Sequence, residues 1–324
     1  MEKILIIGTT PTSSGIGGVT IHVQRLLDYL EENNFSFTFI DYRKQSIFYI
    51  LKAISHSFII HIHISNVYFQ LALILYCKLL HKKSILTIHG NIGKNGWIKN
   101  RIVLLSLMYC CTPITLNRDS YEIAKCVNGN STMIPAFIPP VKKEILQSDI
   151  NDSINKFKSK GYSKLYATNA YSVVFDANNQ EVYGISDLLT MFYCLPQYGL
   201  IFSDPSSSYS NWLKKQNISI PNNVLIINKQ HSFFELIKLV DTVIRNTSTD
   251  GDSLTIKEAL YLGKTVLCTN CVPRPNGCLK YSFGDTKSLK LLLEYPKHKD
   301  KNDKVETVEN GADKILKLYK NLLD

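Results

Sequence analysis

The sequence predicts an α/β protein made of two Rossmann-like, doubly wound domains, and three observations carry that expectation. Its 324 residues exceed what one ordinary core organises. Short β-branched runs alternate with amphipathic helical stretches along the chain. The alternation stops at Pro135, Pro139 and Pro140 and a polar run to about Lys160, then starts again at Lys164. This places one domain at residues 1–140, a linker at 141–160 and a second domain at 161–324, with the last helix free to pack back on the first. Two alternating halves with a hinge are the pattern of paired domains that face each other across a ligand cleft.

Composition narrows the class. An apolar share of 45% with 20% charged residues is globular, not disordered. Eight cysteines are scattered without a secretory leader, as expected of reduced thiols in a cytoplasmic protein. Cys268-x-x-Cys271 with Cys278 lacks a fourth ligand at zinc spacing, which favours buried thiols over a metal site. The net charge of +10 is uneven: residues 1–160 carry 18 Lys+Arg against 10 Asp+Glu, and residues 161–324 carry 19 against 17. No acid occurs between Asp41 and Asp119. That span faces something anionic: a membrane surface, a lipid-linked pyrophosphate or nucleic acid.

In the first domain, a strand at Lys3–Gly8 leads through a glycine-rich loop, Thr9–Gly18, to an amphipathic helix from about Val19 to Leu30. The loop is neither G-x-G-x-x-G nor a P-loop, so it supports neither a dinucleotide nor an ATP site. His22 on that helix reads as structural. Strands at Phe35–Asp41 and Ile59–Ile64 follow; His61 and His63 alternate onto one face of the latter, a polar strand face with no carboxylate or cysteine nearby to complete a metal site. The apolar helix Val67–Leu80 ends in His81-Lys82-Lys83 and is shorter than the ~20 residues a bilayer span needs. A strand at Ser84–His89 ends in T-I-H-G, where doubly wound sheets place ligand-binding residues. The next helix, Ile98–Tyr109, follows Trp97 and carries Lys99 and Arg101 in its first turn, which suits a membrane interface. Strands at Cys111–Leu116 and Ser131–Ile134 complete the domain.

In the second domain the densest motif is R-N-T-S-T-D-G-D-S-L-T-I-K-E-A-L-Y-L-G-K-T-V, residues 245–266. A polar loop, Asn246–Ser253, runs into a helix from Leu254 that stops at Gly263 before a strand at Thr265–Cys268. Unpaired N–H groups at such a helix start attract an anion, and Gly251 allows close approach to the main chain. Asp250 and Asp252 repel a phosphate unless Arg245, Lys257 or Arg274 offsets them; sugar hydroxyls are the neutral partner that suits the acids. Glu258 shares a helix face with Leu254 and can point back to the loop. Thr255-x-x-Glu258 also fits a capping box that needs no ligand.

The stretch D-G-D-S-L-T-I-K-E-A-L-Y-L-G-K-T-V resembles the acid-x7-acid motif of retaining family-4 glycosyltransferases of the GT-B type, in the variant of bacterial O-antigen and capsular polysaccharide enzymes. The resemblance implies that Asp250 contacts the donor hexose and is catalytic, that Glu258 holds the nucleotide ribose, and that Gly251, Asp252, Ser253 and Leu254 line the diphosphate. It places Gly17 and Gly18 against the diphosphate and acceptor, and His89 against the hexose. Where the family commonly has an Arg and a Lys-Gly on the diphosphate, this chain has Ser172 and Tyr183 at roughly those places, so either Arg245, Lys257 or Arg274 supplies the charge or the chain is a degenerate member that binds its donor weakly.

These expectations define a metal-independent hexosyltransferase in surface polysaccharide biosynthesis. It uses a nucleotide-diphosphate sugar and a free or lipid-linked glycan acceptor, and it docks peripherally on the anionic inner face of the cytoplasmic membrane. Nucleic acid is not an expected partner. A nucleotide-sugar 2-epimerase on the same fold and a non-catalytic assembly partner are the alternatives.

Overall fold

The computed structural model describes residues 4–11, 17–93, 96–176, 178–296 and 308–323. The chain divides into two compact units, residues 1–142 with 309–324, and residues 143–308. In order, the first unit contains β1 (Ile4–Gly8), α1 (Gly18–Glu32), β2 (Thr38–Asp41), α2 (Ile47–His56), β3 (Ile59–Ile62), α3 (Val67–Leu79), β4 (Lys83–Ile88), α4 (Trp97–Tyr109), β5 (Thr112–Thr115), α5 (Arg118–Val127) and β6 (Thr132–Met133). The second contains α6 (Ser148–Lys158), β7 (Lys164–Asn169), α7 (Ile185–Tyr193), β8 (Tyr198–Ser203), α8 (Ser208–Lys215), β9 (Val224–Ile227), α9 (Phe233–Lys238), β10 (Thr242–Arg245), α10 (Leu254–Tyr261), β11 (Thr265–Thr269), β12 (Cys278–Tyr281) and α11 (Thr286–Glu294). The chain then returns to the first unit with α12 (Gly311–Leu323).

Each unit is built on a six-stranded parallel sheet, ordered β2-β1-β3-β4-β5-β6 and β12-β11-β10-β7-β8-β9. Strands such as Ile4–Gly8, buried at every position, suit a sheet covered on both faces. In the first unit, Ile50, Leu73, Ile74, Val103 and Leu107 of α2, α3 and α4 pack on one face. Val23, Leu26 and Leu30 of α1 pack on the other, with Ala312, Ile315 and Tyr319 of α12. Gly311 begins α12 so close to β6 that a Cβ would meet the Pro135 carbonyl oxygen at 2.2 Å.

Each sheet has one place where successive connections turn in opposite directions, between β1 and β3 in the first and between β7 and β10 in the second. Ligands of open α/β sheets bind beyond the carboxyl ends of the strands at such places. The polar run read as a linker does not stay extended. Ile150, Ile154 and Phe157, spaced four and three apart, put an apolar stripe on α6, which packs into the second unit's core.

Candidate functional site

In the second unit, β7 ends at Asn169 and β10 at Arg245, on either side of the switch point. The loop after Arg245 folds back on it. Asp250 takes a bidentate ion pair from Arg245, with Nε to Oδ2 and Nη2 to Oδ1 both at 3.0 Å. Nη1 of Arg274 adds a bond to Oδ2 at 2.8 Å, and the Gly251 amide donates to Oδ1 at 3.0 Å. Arg274 is itself anchored through Nε to the Thr269 carbonyl at 2.8 Å. Two guanidinium charges on one carboxylate leave this clamp one positive charge in excess. Burial alone would raise the Asp250 carboxyl, but the attraction and hydrogen bonds of Arg245, then of Arg274, outweigh it and hold it below the ordinary range.

This geometry gives Asp250 a structural part beside the role the resemblance implies. A carboxylate has about four lone-pair positions, and protein donors fill four here. As placed, Asp250 orients two arginines. The clash expected between a phosphate and the loop acids is also removed, because Asp252 pairs with Lys257 as Asp250 pairs with the arginines. The capping-box reading falls as well. Ser253 is the N-cap, Thr255 lies inside the helix, and its hydroxyl donates to Asn169 Oδ1 at 3.0 Å across the switch point. Glu258, 4% exposed, is therefore on α10 without being the capping partner of Thr255.

Ser172 and Tyr183 have no charge to offer, and Tyr183 explains how the chain manages without one there. Its ring lies under Arg245, with Cζ 5.1 Å from the centroid, a cation–π contact that steadies the guanidinium. Gly184 beside it adopts φ 49° and accepts from Asn246 Nδ2 at 3.0 Å; a Cβ there would lie 2.3 Å from that nitrogen. The lysine expected before this glycine is replaced by an aromatic ring that supports an arginine from the next strand. The sequence offered Arg274 as one of three cations able to offset the loop acids, and nothing in it marked Tyr183 as more than a missing charge.

Arg245, Asp250, Gly251, Asp252, Ser253, Leu254, Lys257 and Glu258 thus gather at one sheet edge of the second unit, while Gly17, Gly18 and His89 belong to the first. Gly17 caps α1 with φ −151°, and a Cβ at Gly17 or Gly18 would meet nothing within 4 Å, so neither backbone strain nor a neighbour demands glycine there. Ile16 and its neighbours back to Thr12 lie outside the described residues.

His89, just past β4, sits in an imidazole cluster. Its Nε2 is 3.0 Å from Nδ1 of His63, and the His22 ring packs edge-on at 5.1 Å between centroids. The His61 ring lies 4.0 Å from that of His63 and bonds to Thr87 Oγ1 at 2.7 Å and to the Tyr319 hydroxyl at 2.5 Å. His22 Nδ1 is 2.8 Å from the Ala136 carbonyl oxygen, which requires it to donate. Burial, reinforced by neighbouring imidazoles, lowers His61 to about 3 and holds His63 and His89 well below their ordinary value. Among the described residues no group of three or more His, Cys, Asp or Glu side chains is placed to hold a metal ion.

The chain matches no protein-family model, and no curated protein matches it. Solved structures do match. HepE of Anabaena, in complex with UDP and glucose, superimposes with a TM-score of 0.69 at 12% identity, over 100% of this chain and 96% of that one. The fold is GT-B. An α,α-trehalose-phosphate synthase (UDP-forming) of Burkholderia xenovorans gives 0.64 at 11% identity, over 99% and 100% of the two chains. A UDP-GlcNAc 2-epimerase of Methanocaldococcus jannaschii gives 0.60 at 11%, also over 99% and 100%.

Proposed function

We propose that the chain is a nucleotide-sugar-dependent glycosyltransferase that moves a hexose-type sugar, with retention, to a free or lipid-linked glycan in bacterial surface polysaccharide biosynthesis. The observation that carries the reading is the clamp of Arg245, Asp250 and Arg274 beside the start of α10. Its surplus positive charge and the first amides of α10 suit a nucleoside diphosphate, and Glu258 suits ribose hydroxyls. HepE, bound to UDP-glucose in one of its structures, and the UDP-forming synthase use nucleotides of this kind on the same fold. Gly17 and Gly18 leave room for a ligand at the first unit's switch point.

In this reaction the bond from the anomeric carbon to the diphosphate oxygen breaks while the acceptor oxygen bonds to the same face. The acceptor's proton passes to the departing diphosphate. The chain's part is positioning and stabilisation of the leaving group's charge by the clamp, with no metal required.

Membrane docking belongs to the same proposal. No described helix is long and apolar enough to cross a membrane. On the outer surface of the first unit, Tyr68, Leu75 and Leu79 of α3 and Ile98, Leu105 and Met108 of α4 are exposed, each set on one helical stripe. Lys78 and Arg101 flank them and no acid interrupts the span, so the surface fits the anionic inner face of the cytoplasmic membrane.

The epimerase neighbour keeps a second reading alive. A panel of nucleotide sugars, scored by thermal stabilisation, identifies the donor, since only a ligand of the native state raises the melting temperature. Nucleotide release that depends on an acceptor supports the transferase; isotope exchange at sugar C2 without transfer replaces it with the epimerase. No stabilisation by any member of the panel removes both.

A further inference from the structure

The pair His63–His89 fixes a proton, and this step rests on the reading that His89 meets the donor sugar. Nε2 of His89 is committed to His63, 3.0 Å away. Between two neutral imidazoles one nitrogen donates and the other accepts, and burial keeps both rings neutral. The far nitrogen of His63 decides the direction. The residue is 1% exposed, and its Nε2 is buried without a hydrogen-bond partner among the described residues. A proton on Nε2 would bury an N–H with no acceptor, whereas a bare lone pair in that place is tolerated more readily. His63 therefore carries its proton on Nδ1 and donates it to Nε2 of His89. A neutral His89 whose Nε2 accepts must hold its own proton on Nδ1.

We propose that His63 is a positioning residue: through its Nδ1–H it locks His89 in the Nδ1-protonated tautomer, so that His89 offers the nucleotide sugar a hydrogen-bond donor toward a sugar oxygen. In water a free histidine favours neither this tautomer nor one ring orientation so strictly, and the partner nitrogen is what sets both. His89 is the half-buried member of the pair and His63 the enclosed one, as a ligand contact and its support should be.

The test uses the full chain labelled with 15N-histidine. Long-range proton–nitrogen spectra near neutral pH, assigned with His63→Asn and His89→Ala, should show His89 protonated at Nδ1. An asparagine amide reaches only as far as Nδ1 of the histidine it replaces, and a glutamine amide reaches beyond it. His63→Asn should therefore keep the His89 tautomer and the rate of UDP release from UDP-glucose, or from the panel's best donor, within about threefold. His63→Gln should lose the tautomer and about tenfold in rate, with affinity for free UDP within twofold. A His89 protonated at Nε2 in the unsubstituted protein overturns the proposal. So does full activity of His63→Gln where His89→Ala is damaging. If His89→Ala leaves the rate unchanged, the donor-contact reading itself fails and takes the proposal with it.

Discussion

At the switch point of the first sheet stand four imidazoles, of which burial keeps His61, His63 and His89 neutral; at that of the second stand two guanidinium groups around a carboxylate that they hold ionised. Both arrangements solve the same problem, polar groups held away from water near the carboxyl ends of a parallel sheet. Neutral rings suit hydroxyl groups, and a clamp with surplus positive charge suits an anion. They also differ in how they break. A neutral cluster is sensitive to protons, and an ionic clamp is sensitive to the loss of a partner.

Removing a partner should therefore give the largest effect. Asp250→Ala leaves Arg245 and Arg274 facing each other, with Arg274 only 8% exposed. Breaking a buried pair in this way costs ~3–5 kcal/mol. Trp212, packed on Phe175 and Tyr209 in the second unit, reports unfolding there, and Trp97→Phe silences the other tryptophan. A denaturation midpoint that hardly moves would mean the clamp is not holding the unit together. His63→Leu, the matching change in the first unit, removes a neutral group and should shift stability far less.

Next comes Glu258. With the capping box excluded, Glu258→Ala should weaken binding of free UDP by ~1.5–3 kcal/mol, the loss of a charge-assisted hydrogen bond. Calorimetry measures it directly. Unchanged UDP affinity with a lowered melting temperature would make Glu258 a structural residue of α10.

The alternation of strand and helix was legible because buried parallel strands and amphipathic helices write different periods into the chain. The stretch holding α6 was misread because its three apolar residues are diluted by Ser, Asp, Asn and Lys, and composition there outweighs spacing. At the site, the loop and helix start were legible because their members are neighbours in sequence. The structural part of Asp250 was not. Its second arginine is 24 residues away, and only the fold of the β11–β12 connection brings Arg274 to it. His63 and His89 lie 26 residues apart and meet because β3 and β4 pair in register.

Acid should sharpen the contrast between the units. His61 is lowered from 6.5 to about 3 in the folded chain, so the unfolded chain binds its proton more readily. Its contribution is complete above pH 6.5 and fades as pH falls toward 3; at pH 5 about 2 kcal/mol is lost from this residue alone. His63 and His89, lowered in the same direction, add to the loss. Asp250, lowered below 3.8, keeps its contribution across that window. Hydrogen exchange corrected for intrinsic rates should show the first unit opening first between pH 7 and 5. Equal loosening of both units would refute the assignment of the acid response to the imidazoles.

The smallest effect concerns the exposed apolar stripes of the first unit. Its apolar stripes on α3 and α4 lie in a span with ten Lys and Arg and no acid, whereas the second unit mixes both signs. The choice of residues for charge reversal follows from their contacts. Lys82 donates to the Ser55 carbonyl at 2.8 Å and Lys83 to the Leu322 carbonyl at 2.6 Å, so reversing either would disturb packing as well as charge. Lys99 and Arg101 are exposed in the first turns of α4, and Arg101 covers the exposed Trp97 ring. Each cation near an anionic surface contributes ~1 kcal/mol and is screened within about 10 Å at 0.1 M salt. Lys99→Glu with Arg101→Glu should thus weaken sedimentation with anionic vesicles at least tenfold at low salt, with the effect shrinking as salt rises. Neutral vesicles should bind neither form. If the unsubstituted protein fails to pellet with anionic vesicles at low salt, the basic span serves the acceptor's pyrophosphate and not a bilayer, and the exposed stripes need a different partner.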